Sequence, residues 1–533
     1  MQSKVRTFAL AAVAGVVAGC STPVPQALKP QDVPSSFSGP VAPGASIWPS
    51  ADWWKAFGSD ELSGLVTTAQ TNNLDIAVAM ANVLQATANR DIARAALFPT
   101  FDLDGTAARS RTPGGGTITI PNTNGKGTTT FTSPASTTSQ FGLTLNGTWI
   151  PDIWGLAQDN LRAAQEALKS SQFAQQEVAL TTTATVADTY LDILALREEI
   201  ATIEQNIQAA DRILTITRAQ VTNGVSSQLD LSQQEATVEG QIAALPPLRE
   251  QEREAVFALA ILLGRPPEGF AVTAQNLNAV KYPVVAPGLP SALLERRPDV
   301  AQAEANLASA HANVDAARAA FFPQLSLTGD GGLGSTAIQT LFRASSFEWS
   351  IGASALQTVF DGGLLISKSD LAKAQQLGLV STYRKTVMTA FQSVEDSLGQ
   401  VANFGDEQAA LEKEVAASAN AFRISELQYR EGIVALLTVL QAQQTLFVAE
   451  NQLILVKLSR LQAEVGLYQA LGGGWMENPD EATQKTTENG QPLILAQPAA
   501  PASAPPAQVP PGSAPAIPPV PAPSPSPEQP PKG

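Results

Sequence analysis

What this 533-residue chain lacks narrows its chemistry before anything it contains. It has one cysteine, Cys20, and one histidine, His311. No disulfide can close within the chain, and a structural zinc site needs several thiolate or imidazole ligands. No metal, cofactor or catalytic residue is expected. Charged residues make up only 15 %, the net charge is −15, and no basic footprint for nucleic acid stands out. Aromatic residues are sparse at 6 %. With alanine, glutamine and threonine abundant, this is a poor recipe for one large globular core. It suits long helices with small-residue interfaces, or a wall that faces water on one side.

The N-terminus carries an address. Lys4 and Arg6 precede an apolar run from Phe8 to Ala18, fitting a signal-peptide core and too short to span a bilayer. It ends in Val17-Ala18-Gly19-Cys20, which resembles a bacterial lipobox. By that resemblance residues 1–19 are a signal peptide, and Cys20 is acylated on sulfur, becomes the first residue and is acylated on nitrogen. Each buried methylene contributes ~0.8 kcal/mol, so several acyl chains make a stable anchor. Ser21 follows, not the aspartate that commonly retains lipoproteins in the inner membrane, so the outer membrane is the expected location. The proline-containing segment 20–58 reads as an extended, lipid-anchored strap.

An internal repeat organises the rest. Asn73-Leu-Asp-Ile-Ala-Val-Ala-Met-Ala-Asn82 matches Arg297-Pro-Asp-Val-Ala-Gln-Ala-Glu-Ala-Asn306, and Ala93–Pro99 matches Ala317–Pro323. Asp152 with Gly155 corresponds to Asp361 with Gly363, and Gln220–Gly224 to Gln428–Gly432. The reading is a first repeat over 59–285, a second over 286–475, and a Pro/Ala-rich disordered tail over 476–533. Each repeat reads as helix, strand pair, long helix, turn and return helix. Pro99 and Pro323 stop the first helices. The period then becomes two: Phe101, Leu103, Gly105 and Ala107 alternate with polar residues, and so do Phe141, Leu143, Leu145, Gly147 and Trp149. Between these segments lies a Gly/Thr/Ser/Pro-rich stretch, Ser110 to Ser139. The second repeat has Leu325 and Leu327, then Phe347, Trp349, Ile351 and Ala353. Alternating segments of about ten residues mark a transmembrane β-barrel wall.

From about Leu156 to Val221, and again from about Leu364 to Tyr429, there is no proline. Ile193, Leu196, Ile200, Ile203, Ile207, Ala210 and Leu214 form a heptad seam. Some 66 residues at ~1.5 Å each make a helix of roughly 100 Å, too long for a compact domain. Gly224 and Gly432 then reverse the chain. Pro246-Pro247 are expected to kink or interrupt the first return helix. Gly329–Gly334 fits G-x-G-x-x-G in form but reads as a flexible loop between strands. The Glu198-Glu199 pair reads as a solvated face, and His311 as a helix-surface or packing residue.

Two hairpins supply four strands. Eight is about the minimum for a transmembrane barrel, and open edges are not tolerated in lipid, so the barrel must be shared between chains. Three chains give twelve strands, wide enough for a passage. The fold class expected is therefore mostly α with transmembrane β, as a homotrimer.

Asp52-Trp-Trp54 with Phe57, Asn73-Leu-Asp75, Pro151–Gly155, Leu293–Val300, Phe321-Phe-Pro323, Phe360–Gly363 and Ala470–Trp475 together resemble the TolC-like outer-membrane efflux proteins, in particular the lipidated NodT type. The resemblance covers about Trp48 to Trp475. It implies a trimer with a twelve-stranded outer-membrane barrel, a long periplasmic α-helical barrel and a mixed equatorial zone at its waist. It also implies docking to a periplasmic membrane-fusion adaptor and an inner-membrane transporter of the resistance-nodulation-division class, for passive exit of small molecules. The turns at Gly224, Val225, Gly432 and Ile433 would meet the adaptor. Better-known members carry an acidic ring at the second hairpin's tip. Here the matching residues, Thr438 and Gln441, are neutral, the first hairpin keeps Asp230, and Leu437 matches an apolar constriction. The alternatives are a TolC-like duct for protein secretion and a non-channel envelope coiled coil, against which the paired alternating hairpins argue.

Overall fold

In a computed structural model the chain is described over residues 49–475, apart from 122–124, 126, 284 and 286–289, together with 33, 34, 36, 37 and 39. The signal segment, Cys20 and the tail from 476 lie outside the described residues. Two short helices open the body, α1 (Asp60–Asn72) and α2 (Leu74–Ala95). Four strands follow, β1 (Thr100–Thr112), β2 (Thr117–Pro121), β3 (Thr128–Thr132) and β4 (Ser136–Trp149). The first helical hairpin is α3 (Leu156–Thr222) and α4 (Gln228–Leu262). After a short α5 (Pro290–Leu293), the order returns: α6 (Pro298–Ala319), β5 (Gln324–Ser335), β6 (Phe347–Leu356), α7 (Leu364–Arg430) and α8 (Leu436–Ala470).

The duplication is written into the helix lengths. α2 and α6 have 22 residues each, α3 and α7 have 67 each, and α4 and α8 have 35 each. At ~1.5 Å per residue the long helices reach about 100 Å. α3 packs against α2, α4 and α6, and α7 packs against α6 and α8. Among the described residues no helix is long and apolar enough to cross a membrane.

The stretch Ser110–Ser139 holds strands, and three readings from the sequence need correction. β1 and β4 extend into Ser110–Ser139, and β2 pairs with β3 in a separate ribbon, Ile118 opposite Phe131. Alternating Thr and Ile have high strand propensity, and this outweighs the surrounding glycines. Gly329–Gly334 lies in the second half of β5, not in a loop, paired with β4 throughout and with β6 as far as Leu333. The glycines admit close neighbours: a Cβ at Gly332 would lie 2.5 Å from the Leu143 carbonyl oxygen, and one at Gly334 would lie 2.7 Å from Glu348 Oε1. Pro246 and Pro247 do not interrupt α4. The helix lies along α3 through both, and ion pairs just beyond the prolines, Arg249–Glu204 at 2.8 Å and Arg197–Glu252 at 2.7 Å, clamp it there. Glu198 and Glu199 are not a solvated face. Glu198 accepts from the Leu277 amide at 3.1 Å and faces Lys457 at 3.3 Å, while Glu199 is buried.

The core sits at the waist. Trp53, Phe57, Leu62 and Val66 fill a cluster with Tyr190, Leu191 and Leu194 of α3, Val387 and Val394 of α7, and Val465 and Tyr468 of α8. Trp53 stacks on Tyr468 with centroids 5.0 Å apart. Arg197 donates to the carbonyls of Val272 (2.8 Å) and Ala274 (2.5 Å), fixing the connection between the repeats. Val33 and Phe37 pack on the same core, and the Gly39 amide donates to Glu395 at 2.8 Å.

Candidate channel wall and periplasmic aperture

Four strands form one antiparallel sheet in the order β1-β4-β5-β6. Its register sorts residue chemistry cleanly by face. Leu103 stands opposite Leu145 and Ala107 opposite Phe141; across the next ladder Leu143 meets Leu333, and across the last Leu327 meets Ala353 and Gly331 meets Trp349. Because side chains alternate, one face is thus apolar across all four strands, apart from Arg109 and Arg111 near the end of β1. The other carries Asp102, Asp104, Asn146, Thr144, Asp330 and Ser350, in the same registers. A sheet with an apolar face for lipid and a polar face for water is a barrel wall. It is an open piece of one, because β1 and β6 lie at the edges and are exposed along their whole lengths.

At the opposite end of the long helices, both hairpins turn on the same device. Gly224 has φ 71° and Gly432 has φ 72°, the left-handed region where a side chain is strained. The Gly224 amide donates to Val221 O and the Val225 amide to Gln220 O; Gly432 donates to Tyr429 O and Ile433 to Gln428 O. These paired bonds are a Schellman ending, which satisfies the last helical carbonyls. It leaves Val225 and Ile433 with 70 % and 69 % of their surface exposed.

Asp230 lies one turn into α4, but its carboxylate is not free. Its Oδ2 accepts from the Ser227 amide at 2.9 Å, the Ser226 hydroxyl at 2.7 Å and the Ser227 hydroxyl at 2.8 Å. The Ser227 side chain in turn accepts from the Asp230 amide, completing a capping box. These bonds, the Ser227 amide first, hold the carboxyl below its ordinary range. Leu437 and Gln441 line a groove of about 1020 Å³ with Leu440, Gln233, Asn206 and Glu199, while Thr438 is exposed beside it. The structure therefore brings Leu437 and Gln441 into one groove and gives Asp230 a separate structural task.

Sequence reasoning missed the buried acids of the waist. Burial, helped by Asp192, pushes Asp188 up to about 7. Burial pushes Glu464 up to about 7 against the opposing Arg460. Asp188 lies on a helix rich in polar residues and Glu464 on one rich in leucine, so no shared pattern marks them and only packing reveals them. His311 sits on α6, its Nδ1 3.1 Å from Gln376 Nε2 of α7, a helix-packing contact.

The outer membrane efflux protein model matches residues 65–265 and 289–473, one stretch in each repeat. The chain is 36 % identical to the pyoverdine export outer membrane protein OpmQ of Pseudomonas aeruginosa, over 81 % of this chain and 89 % of that one. It is 33 % identical to the toluene efflux pump outer membrane protein TtgC of Pseudomonas putida, over 90 % and 98 %. The open state of the Neisseria gonorrhoeae MtrE outer membrane channel matches 86 % of this chain and 100 % of its own, with 26 % identity and a TM-score of 0.74. Matched by the family model in both repeats and by these relatives over most of its length, the chain belongs to the outer membrane efflux protein family.

Proposed function

We propose that three copies of this chain form the outer-membrane exit duct of a tripartite efflux pump, passive itself and loaded from the periplasmic side. The observation that carries this reading is the four-stranded sheet with one apolar face and two unpaired edges. A single copy cannot stand in lipid with open edges, and three copies supply twelve strands. Acylated Cys20 supplies a second hold on the membrane. The exposed apolar tips Val225 and Ile433, presented by Gly224 and Gly432, form the docking surface for a periplasmic adaptor, which links the duct to an inner-membrane transporter of the resistance-nodulation-division type. Cargo is of the small-molecule class. Relatives named for pyoverdine and for toluene match this chain over most of its length, and a wall of neutral polar residues and carboxylates is no tailored pocket, so cargo choice belongs to the transporter.

The aperture lies at the tips, where Leu437 forms an apolar ring that resists wetting, with Thr438 and Gln441 beside it and Asp230 as a ring of like charge. Native mass spectrometry in detergent is expected to give three copies, and Leu437→Ala to raise single-channel conductance in planar bilayers. Asp230→Ala weakens cation preference in the same assay. A stable monomer would overturn the duct; unchanged conductance would move the constriction away from Leu437.

A further inference from the structure

The duplication allows the interface between copies to be read at the level of individual residues. The two repeats can be aligned by two independent routes. α2 and α6 have equal lengths and are followed by β1 and β5 at the same spacing, so Thr100 corresponds to Gln324. α3 and α7 also have equal lengths, and counting back from Leu156 and Leu364 sets Thr148 opposite Leu356 in the alignment. The ladders agree with both: Thr100 pairs with Thr148 in the first hairpin, and Gln324 pairs with Leu356 in the second. β1 is thus the counterpart of β5, and β4 the counterpart of β6.

Between the repeats, β4 pairs antiparallel with β5, Phe141 facing Ser335, Leu145 facing Gly331 and Gly147 facing Gly329. The same step taken once more, from β6, has no strand to meet among the described residues, because β6 ends the sheet. Its continuation is the β1 edge of a second copy. Carrying the β4–β5 ladder over by the alignment fixes the register. Leu145 and Gly331 map to Ala353 and Ala107, Gly147 and Gly329 to Ala355 and Gly105, and Phe141 and Ser335 to Trp349 and Arg111.

Resting on the trimeric reading above, we infer that β6 of one copy pairs antiparallel with β1 of the next, Ala353 against Ala107, Ala355 against Gly105 and Trp349 against Arg111. Side-chain chemistry on the two strands supports this register. The mapping places the apolar residues Trp349, Ile351, Ala353 and Ala355 on the face of Ala107 and Gly105, and places Ser350 and Ser354 on the face of Ser110 and Thr106. A slip of one residue would turn every polar side chain of one strand toward lipid. The interface between copies also differs from its internal counterpart in one respect. Where β4–β5 has Phe141 facing Ser335, the intermolecular ladder sets a tryptophan against an arginine near the outer end of the strands. A guanidinium over an indole face adds a cation–π contact, which favours joining copies through this edge.

Cysteine cross-linking tests the register directly, since Cys20 is the only native cysteine. Within one chain β1 and β6 are separated by two strands, about 14 Å at the usual spacing, beyond the reach of a disulfide. Any bond between them is therefore intermolecular. Full-length chain carrying Ala353→Cys with Ala107→Cys, or Ala355→Cys with Gly105→Cys, is expected to give a reducible ladder ending at trimer on oxidation in the membrane. Ala353→Cys with Leu103→Cys, four residues out of register, is expected to give none. Ladders from the displaced pair alone, or none from either in-register pair in a protein that native mass spectrometry shows to be trimeric, would overturn the register. A monomer in that measurement would overturn the trimeric reading itself. Arg111→Ala is expected to lower the temperature at which the trimer dissociates in detergent by several degrees, and Ser335→Ala to leave it unchanged.

Discussion

The first helical hairpin, α3–α4, and the second, α7–α8, have the same helix lengths and the same glycine turn, yet they secure their tips by opposite means. In the first, Ser227 and Asp230 close a capping box, and the apolar packing nearby is slight: Ala210, Leu214 and Val238. In the second, Ala435 stands at the cap position and offers no side-chain bond. There Leu436 is buried in a cluster with Phe422, Tyr429, Val439, Leu446 and Phe447, joined by Ile213 from α3. Tyr429 adds hydrogen bonds across to the first hairpin, its hydroxyl 3.0 Å from Thr217 Oγ1 and its carbonyl accepting from Gln220 Nε2 at 3.0 Å. Duplication preserved the backbone because the length of the helices sets the length of the duct. Side chains were free to diverge wherever a different interaction could hold the same turn.

The two tips differ most at the paired first residues of the return helices. Leu436 is 2 % exposed, and its counterpart at the start of α4 is the exposed Gln228. Leu436→Ala is expected to destabilise its tip by about 2–5 kcal/mol, the usual cost of emptying a buried leucine site. Gln228→Ala is expected to change little. Hydrogen exchange over residues 430–445, compared with 222–237, measures the difference. Equal protection loss in the two variants would show that the tips are held alike.

A second contrast lies at the waist. Asp188 on α3 is largely buried, with its Oδ1 unpartnered, while its counterpart Asp396 on α7 is exposed. Burial raises Asp188 from 3.8 to about 7 in the folded chain. The folded state therefore binds a proton that the unfolded state has lost between those values. Its contribution to stability is fully present below pH 3.8 and is lost as pH rises through 7. Asp188→Asn is expected to match the wild type near pH 4 and to exceed it at pH 8, by on the order of 2 kcal/mol once partial access to water is allowed for. Asp396→Asn should track the wild type at both. Thermal unfolding at the two pH values checks this; a difference independent of pH would remove Asp188 from the account.

Much of this fold is legible in the chain, and the exceptions share a cause. The long helices announce themselves because they lack proline and end at glycine, and the strands because their period changes after Pro99 and Pro323. These are local signals. The β2–β3 ribbon was hidden because its five-residue strands lie among Gly, Ser and Pro. Gly329–Gly334 was hidden because loop composition and close strand approach both call for glycine. The continuity of α4 through Pro246-Pro247 depends on α3 beside it, and the burial of Glu199, Asp188 and Glu464 depends on helices far away in the chain. At the tips, Gly224, Val225, Gly432 and Ile433 could be placed from sequence alone. The engagement of Asp230 was also within reach, since Ser227 followed three residues later by an acid is a capping-box pattern.

Exchanging the chemistry of the caps is expected to move the two tips by less. Ser227 has φ −92° and ψ 160°, and its side chain accepts from the Asp230 amide. Ala435 has φ −75° and ψ 154°, the same extended cap conformation without an acceptor. Removing the first cap with Ser227→Ala is expected to cost about 1 kcal/mol. It also frees the Asp230 carboxylate from one of its hydroxyl donors, so the aspartate becomes more available to cations. Installing a cap with Ala435→Ser requires no change of backbone, and is expected to stabilise the second tip by a little under that amount, because Thr438 at the matching third position supplies no carboxylate to complete the box. Hydrogen exchange of the first-turn amides, 228–231 in one variant and 436–439 in the other, reads both. If Ala435→Ser gains nothing, the apolar cluster around Leu436 already suppresses fraying at that end, and the polar cap of the first hairpin is then the substitute for a core it lacks.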